Sequence, residues 1–378
     1  MKNSKKALTV ILAAAMSTSL LAACGSSSSS STTAASSASA TSSAAATSSE
    51  AAAPAASGET VTFRVSSQHA ETNQSYTTLK ALCDEVTELT DGRVQFELYA
   101  NSTLGAAAEN LTMLDNDVCD ICWTSAAFFA GQFPISNSLE LPMMGIQNSI
   151  DATNIYWDLM ETYPEAFSEF DDYYVWTAYT APATIVGVTN KQIASISDLA
   201  GLNLRSSAGV NSDVVSAWGA APLSIAPSDL YMSLEKGVAD GYLFNASTLD
   251  SWKLGELTQC AFDCQLGYSQ IFVLMSLDDY NKLSDEDKAI MDQVGKRAGS
   301  IMEAENTEAE AQTAIDNYLA RGGDVTYNVL SSDDTLYQEL KAPLDPIIQQ
   351  WVADTTTDSF DTQQIVDFIS EKAAEYAG

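Results

Sequence analysis

The sequence predicts an α/β protein of two domains, and three observations lead to this fold class. The first 58 of the 378 residues lack the pattern of a folded segment, and the other 320 fill about two domains of ordinary size. From Thr60 onward, short apolar runs alternate with amphipathic stretches, which indicates mostly parallel sheets. Residues 284–319 have few helix breakers and many Glu, Ala and Lys, so they predict one long helix or two in series.

The first half of the folded region has the pattern of strands separated by helices. Leu79, Leu82, Val86 and Leu89 lie on one face of a helix, and Asp91-Gly92 then makes a turn. The predicted strands cover residues 60–66, 93–100 and 118–123, and the predicted helices cover residues 75–89 and 105–116.

A second run of the same kind follows, so two similar halves are expected. Its predicted strands cover residues 184–189, 202–206, 222–225 and 241–244, with helices at 211–218 and 229–236. Residues 270–275 predict a buried strand, and residues 334–353 and 362–377 predict further helix beyond the long one.

Charge and histidine content exclude several functions. The formal charge of −33, from 17 Lys and Arg against 50 Asp and Glu, makes nucleic acid and anionic membrane surfaces unfavourable partners. His69 is the only histidine, so zinc sites with two histidines are excluded, and any Ser-His-Asp triad would have to use it. The acid-rich stretches lack the spacing of a calcium loop. The sequence therefore predicts no metal, no cofactor and no enzymatic activity.

The N-terminus has the pattern of an exported, lipid-anchored protein. Lys2, Lys5 and Lys6 precede an apolar stretch too short for a retained membrane span, as in an export signal over residues 1–23. Residues 21–25, Leu-Ala-Ala-Cys-Gly, resemble the lipobox of bacterial lipoproteins, in which Cys24 would carry the acyl chains, palmitate among them; ordinary cleavage after a small residue is the alternative. Residues 24–58, rich in Ser, Ala and Thr, then predict a flexible tether with a reach of about 30 Å.

Four motifs occur in order along the folded region. They are Thr-Glu-Leu-Thr-Asp-Gly-Arg at 87–93, Ser-Asp-Leu-Ala-Gly-Leu-Asn-Leu-Arg at 197–205, Ser-Asp-Leu-Tyr-Met-Ser-Leu-Glu-Lys-Gly-Val-Ala-Asp-Gly at 228–241, and Tyr-Asn-Lys-Leu-Ser-Asp-Glu-Asp at 280–287. Together they resemble the substrate-binding subunits of tripartite ATP-independent periplasmic (TRAP) transporters, the DctP-like family.

The resemblance implies a two-domain periplasmic-binding-protein-like fold with crossing strands and a long hinge helix. Residues 59–182 with 271–310 would form domain I, and residues 183–270 with 311–378 would form domain II. A monomer would close over a small organic acid in the cleft and deliver it to the TRAP membrane subunits. A ligand receptor for a sensor kinase is the close alternative, and a secreted enzyme is the more distant one.

The same resemblance points to Arg205 as the residue that binds the ligand carboxylate. Arg205 ends a predicted strand, where side chains of an open sheet face the ligand crevice, and a guanidinium can hold a carboxylate with two parallel hydrogen bonds. A structural salt bridge is the alternative. Many family members have a second arginine about twenty residues earlier, where an ungapped count reaches Ile185. Arg205 can bind one carboxylate, and Ile185 supplies no cation for a second. These two residues therefore predict a monocarboxylate ligand with an apolar or aromatic body.

Further candidate ligand contacts lie at the ends of other predicted strands. Counting from Asp240-Gly241 in the family motif places Phe244 at the ligand, while Asn245 would face the other way or cap the following helix. Trp123 would either stack on the ligand or belong to the core, and Ser125 lies in the loop that borders the family's cleft. Gln68 follows the first strand as a polar contact.

His69 and the cysteines are expected to be structural. His69, next to Gln68, is expected at the surface, as is Arg93 in its turn. Cys119 and Cys122 have a redox spacing, but on a strand they would face opposite ways, so buried free thiols are expected. Cys260 and Cys264 are close enough in sequence for a disulfide in an oxidising compartment.

Overall fold

The computed structural model describes residues 60–129 and 131–377. The predicted signal peptide, the lipobox with Cys24 and the tether lie outside these residues. The strands are β1 Val61–Ser66, β2 Val94–Tyr99, β3 Ile121–Ser125, β4 Tyr173–Thr180, β5 Thr184–Val188, β6 Asn203–Arg205, β7 Ala221–Leu223, β8 Gly241–Asn245, β9 Cys260–Asp263, β10 Gln270–Ser276 and β11 Thr326–Val329.

Helices cover much of the remaining described chain and flank both sheets. They are α1 Gln74–Leu89, α2 Asn110–Asp115, α3 Ser149–Thr162, α4 Val210–Ala217, α5 Pro227–Glu235, α6 Thr248–Ser251, α7 Leu277–Tyr280, α8 Asp285–Val294, α9 Lys296–Ala320, α10 Thr335–Lys341, α11 Asp345–Thr355 and α12 Gln363–Tyr376. In the part of the chain that the structure describes, no helix is both long and apolar enough to cross a membrane.

The strands form two mixed sheets, each the centre of one lobe. The first sheet has the order β2-β1-β3-β10-β4, and the second has the order β11-β9-β5-β8-β6-β7. Every pairing is parallel except those of β10 in the first sheet and β5 in the second. The predicted two-domain α/β fold is therefore confirmed, but the sheets are mixed rather than mostly parallel, because β10 and β5 run antiparallel to both of their neighbours.

Two crossing segments join the lobes and define where a ligand can lie. Residues 181–183 lead from the carboxyl end of β4 to β5, and residues 264–269 lead from the carboxyl end of β9 to β10. They pair with each other, since Ala181 N–H donates to Ser269 O (2.9 Å) and Thr184 N–H donates to Gly267 O (3.0 Å). The carboxyl ends of the parallel strands in both sheets therefore face each other across an interlobe cleft, the usual ligand position in open α/β sheets.

The long helical region consists of two helices in series, one of the two forms that the sequence predicts. The break lies at Gly295, where an added Cβ would lie 2.2 Å from Trp176 Cδ1 and so cannot be accommodated. The longer helix, α9, packs on β4, α1 and α3 of the first lobe and on α6 and β11 of the second. This geometry fits a hinge helix.

The C-terminal helices do not all stay with the second sheet. Residues 334–353, expected to be helical, form α10 and most of α11, with Pro346 in the first turn of α11. The side chains of α10 join the core of the second lobe, whereas Trp351 of α11 and Ile369 of α12 join the core beside α3. The Trp351 indole N–H donates to Pro134 O (3.2 Å). The chain therefore returns to the first lobe at its end.

The cysteines in the described residues are buried free thiols. Cys119 precedes β3 and Cys122 lies on it, and burial raises the pKa of both thiols. Cys260 begins β9 and Cys264 directly follows that strand, so their Cα atoms are about 13 Å apart along an extended chain. A disulfide requires Cα atoms within about 7 Å, which explains why the sequence-compatible bridge is not formed.

Candidate functional site

Arg205 is the last residue of β6 and lies at the cleft edge of the second sheet. Its side chain is held by backbone carbonyls: Nε donates to Ile225 O (3.2 Å) and Nη1 donates to Leu243 O (3.2 Å). The guanidinium carbon lies 4.5 Å from the centre of the Phe244 ring. The residue is only 8% exposed. Arg205, the carboxylate-binding residue that the sequence predicts, is thus a buried cation in a fixed orientation.

Among residues 60–129 and 131–377, Arg205 is the one buried arginine without an acidic partner. Arg321 is exposed and donates to backbone carbonyls, and the remaining three arginines form ion pairs. These pairs are Arg64 with Asp120 (2.6 Å), Arg93 with Asp287 (2.8 Å) and Arg297 with Asp158 (2.6 Å). Burial lowers the pKa of Arg205 to about 10, so the group stays charged at neutral pH. The alternative of a structural salt bridge is therefore wrong, and an anion would complete the site.

Phe244 and Asn245 end β8 beside Arg205, and both are half-buried. The Phe244 ring packs against the core cluster that contains Leu230 and Tyr242, and it lies 6.4 Å from the Trp252 ring. Asn245 Oδ1 accepts a hydrogen bond from Ser247 Oγ (2.7 Å), and its backbone carbonyl accepts one from Thr248 Oγ1. Asn245 thus organises the turn that leads into α6. Phe244 is the one of the two that adjoins Arg205.

Ile185 is in register with Phe244 across the antiparallel β5–β8 pair. Residues directly opposite in such a pair share a sheet face, so Ile185 points to the same side as Phe244. It is 0% exposed and packs against Ala311, Ala314 and Tyr318 of α9. The chain therefore offers no cation at this position. Its equivalence to the family's second arginine stays a prediction.

The candidate residues of the first lobe lie at the opposite edge of the cleft. Gln68 follows β1 and is half-buried. Ser125 ends β3; its hydroxyl donates to Gln270 O (3.0 Å) and accepts from Ala127 N–H. Trp123, earlier on β3, is 4% exposed and belongs to the core on the α1 side of the sheet. Of the two alternatives for Trp123, core packing describes this conformation.

His69, expected at the surface, is half-buried, and its ring packs edge-on against the Trp123 ring with 4.3 Å between the ring centres. Burial lowers the pKa of His69 to about 4, so the imidazole is neutral at pH 7. The Trp123 indole N–H donates to the Tyr179 hydroxyl (3.0 Å). The wall of the cleft is therefore connected inward through Trp123 to Tyr179 of β4.

Glu303 of α9 lies behind this wall, and no motif or spacing in the sequence indicates it. The residue is 0% exposed, and neither carboxyl oxygen has a hydrogen-bond partner among the described residues. The Tyr179 hydroxyl is a neighbour of the carboxyl group, and burial raises the pKa of Glu303 well above its ordinary value. A buried carboxyl group with a raised pKa, which favours its neutral form, thus lies between the hinge helix and the first sheet.

The six candidate ligand contacts form two groups at facing sheet edges. Arg205, Phe244 and Asn245 lie on the second sheet, while Gln68, Trp123 and Ser125 lie on the first. Within the described ranges no three His, Cys, Asp or Glu side chains come together as a metal-binding group. A cavity of about 430 Å³ beside Gln147, Gln265 and Lys341 is separate, because none of the six residues lines it.

Known proteins resemble this chain over most of the described region. The sialic acid-binding periplasmic protein SiaP of Vibrio cholerae is 22% identical over 305 residues, covering 78% of this chain and 92% of SiaP. A TRAP solute-binding protein from Rhodoferax ferrireducens, solved with copurified benzoate, has a TM-score of 0.73 at 24% identity and covers 84% of this chain and 99% of its own.

A second solved structure has the same fold. It is a TRAP periplasmic solute-binding protein from Bordetella bronchiseptica with bound (R)- and (S)-mandelate, with a TM-score of 0.73 at 22% identity, covering 84% of this chain and 99% of that one. The family model of the bacterial extracellular solute-binding proteins, family 7, matches residues 65–354, the part that holds both sheets and Arg205. This chain therefore belongs to the DctP family of bacterial extracellular solute-binding proteins.

Proposed function

We propose that the solute of this extracytoplasmic binding protein is an organic acid whose carboxylate completes the site at Arg205. The buried guanidinium without an acidic partner carries this proposal. Nη1 has a second hydrogen and Nη2 has two, enough for the paired hydrogen bonds that a carboxylate accepts from arginine. Closure of the lobes over the ligand would exclude water and strengthen this charge pairing.

The ligand we propose is a monocarboxylate with an apolar or aromatic body. Arg205 supplies one cation for a carboxylate, and Ile185 supplies no second cation. Phe244 adds apolar surface at the cleft edge. Burying a second carboxylate without a cation costs several kcal/mol. This cost equals or exceeds the stabilisation that a single hydrogen bond to the carboxylate provides. The benzoate and mandelate found in the two related structures are acids of this kind.

Matched ligands test this class by thermal shift with the full chain. We expect benzoate or mandelate to raise the melting temperature in a saturable way, because ligand at about 100 times its dissociation constant stabilises the folded state by about 2.7 kcal/mol. Benzamide, which has the same ring without the charge, is the control and should give no shift. Tight binding of succinate or malate without a response to aromatic or branched monocarboxylates would reject the proposed class.

The protein would deliver this acid to TRAP membrane subunits and would not transform it. A neutral, packed His69 as the only histidine supports binding without turnover. Recovery of the ligand unchanged after long incubation is the expected result, and a converted product would favour the secreted-enzyme alternative. Uptake of the acid that requires both this chain and its membrane subunits would separate transport from the sensor-kinase alternative.

The domain division we propose follows the two sheets. Residues 59–182 with 271–310 form domain I, and residues 183–270 with 311–344 form domain II. We propose that residues 345–377 belong with domain I rather than with domain II as the sequence predicts, because Trp351 and α12 pack beside α3. Hydrogen exchange that separates these groups into two cooperative units would support the division, and one undivided unit would oppose it.

We further propose that Cys24 anchors the protein to the membrane through acyl chains. The lipobox-like residues 21–25 support this, and two acyl chains are enough for stable anchoring. In cells, Cys24→Ala is expected to move the protein from the membrane fraction to the soluble fraction. A Cys24→Ala protein that stays membrane-bound without its transporter partner would contradict lipidation at this residue.

A further inference from the structure

We infer that Phe244 is a positioning residue that acts on the ligand through Arg205, with its ring holding the guanidinium ready for the carboxylate. The inference rests on the proposed function and changes the role expected for Phe244, which the sequence analysis placed in direct contact with the ligand. The guanidinium carbon of Arg205 lies 4.5 Å from the centre of the Phe244 ring.

Three contacts fix the Arg205 side chain. The hydrogen bonds of Nε to Ile225 O and of Nη1 to Leu243 O hold it from two directions. The Phe244 ring covers it from a third direction, and its π-electrons attract the cation. Arginine loses rotamer entropy when it is immobilised. Because all three contacts come from this chain's own groups and not from a ligand, they can order the side chain before the ligand binds, which reduces the entropy lost on binding.

Phe244 is itself held firmly enough to do this. Its ring belongs to a packed group on β8, β7 and α5 that includes Leu223, Ile225 and Tyr231. Ile225, whose carbonyl accepts from Arg205, packs against the same core cluster as the Phe244 ring. The carbonyl, the ring and the guanidinium form one unit, and a change at Phe244 is expected to reach the ligand through Arg205.

Partial negative charge replaces an acidic partner in this unit. Two carbonyl oxygens and a π-face stabilise the buried cation without neutralising it, whereas an Asp or Glu would compete with the ligand carboxylate. An aromatic ring is needed to stabilise the cation in this way, because an aliphatic side chain of similar volume packs equally but has no negative face. This requirement distinguishes Phe244→Leu from Phe244→Tyr.

The first test needs no ligand. In NMR spectra of the full chain, the Arg205 Nε–H signal should be protected from solvent exchange and shifted by the ring current, and Phe244→Tyr should keep both properties. Phe244→Leu should lose the shift and most of the protection; Phe244→Met repeats the test if the leucine variant does not fold. Protection of Arg205 that is equal in wild type and in the folded aliphatic variant would overturn the inference.

The second test uses benzoate and cyclohexanecarboxylate, which share the carboxylate and the ring size but differ in aromaticity. Phe244→Leu should weaken both by the same factor, about 3- to 30-fold from the strength of a desolvated cation–π contact, and Phe244→Tyr should restore affinity. A loss confined to benzoate would show direct stacking on the ligand and overturn the positioning role. If the wild type binds neither acid while Arg205 shows the ring-dependent protection, the proposed ligand class fails and the positioning role stands.

Discussion

Replacing Arg205 by alanine is expected to weaken binding of a carboxylate ligand by about 30-fold or more. Removing one partner of a buried, hydrogen-bonded charge pair costs about 2 to 5 kcal/mol, because the remaining charge stays desolvated without compensation. In this protein the remaining charge would be the ligand carboxylate, and no other unpaired buried arginine exists among the described residues to replace Arg205. Isothermal titration calorimetry of wild type and variant with benzoate measures the effect.

Two further variants make this result specific. Arg321→Ala removes an exposed arginine without an acidic partner and should leave the affinity unchanged. Arg205→Met keeps an apolar side chain of similar length; it should lose the ligand yet fold stably, since it removes a buried cation that nothing neutralises. A folded Arg205→Ala protein with near-wild-type affinity would exclude Arg205 as the carboxylate anchor.

Glu303→Gln is expected to make stability less dependent on pH. An unfolded glutamate has a pKa of about 4.3, and burial raises the pKa of Glu303 in the folded state. Between the two pKa values the folded protein holds one more proton than the unfolded chain, so each unit of rising pH increases the unfolding constant up to about tenfold. This stability is fully present below the unfolded pKa and is lost as pH rises toward the folded pKa.

Glutamine cannot ionise, so the variant should gain stability relative to wild type as pH rises. Thermal unfolding of wild type and variant is measured at pH 4.5 and at pH 8. The quantity to compare is how much the stability difference between the two proteins changes from one pH to the other. Any effect of the new amide on packing is present at both pH values and cancels in this comparison. Tyr179 and Cys83, the titratable neighbours, stay neutral over this range since burial raises both pKa values. Glu305→Gln, an exposed position two residues along α9, is the control.

A pH-independent difference between wild type and Glu303→Gln would contradict a neutral Glu303. It would mean that the carboxyl group is ionised in the folded protein over this range. Infrared spectra check this independently, because a protonated carboxylic acid has a carbonyl band that Glu303→Gln should remove at pH 8.

The sequence predicted those elements whose pattern is local. The buried run at residues 270–275 gave β10, and Gly295 marked the break between α8 and α9. The strand β4 was not predicted, because residues 176–180 are buried on both faces and show no alternation of apolar and polar side chains. Helix α3 did carry a usable signal, since Asn148 caps it by accepting from Asp151 N–H (2.8 Å).

The candidate site was predictable where one residue type determines the chemistry. Arg205 could be located from its motif and its strand end, but its lack of an acidic partner depends on contacts between distant segments, which periodicity does not report. Glu303 was hidden for the same reason: its neighbours in sequence, Glu305 and Glu308, look equally polar, and only the packing of α9 on β4 separates them. Arg93 keeps part of its side chain exposed as expected, but its ion pair with Asp287 of α8 was not predicted, because that contact joins segments far apart in sequence.

The position of β10 has a consequence for how the chain folds. This strand lies between β3 and β4, yet it is synthesised after all the strands of the second sheet except β11. Until residue 276 has emerged, β3 and β4 each keep an open edge, and such edges are where nascent chains pair wrongly or aggregate. Closing this gap forms contacts of high sequence separation, which slows folding. The first lobe is therefore completed late, after most of the second has been synthesised. A fragment ending at residue 182 contains β1, β2, β3 and β4 but lacks β10, the strand that joins β4 to the other three.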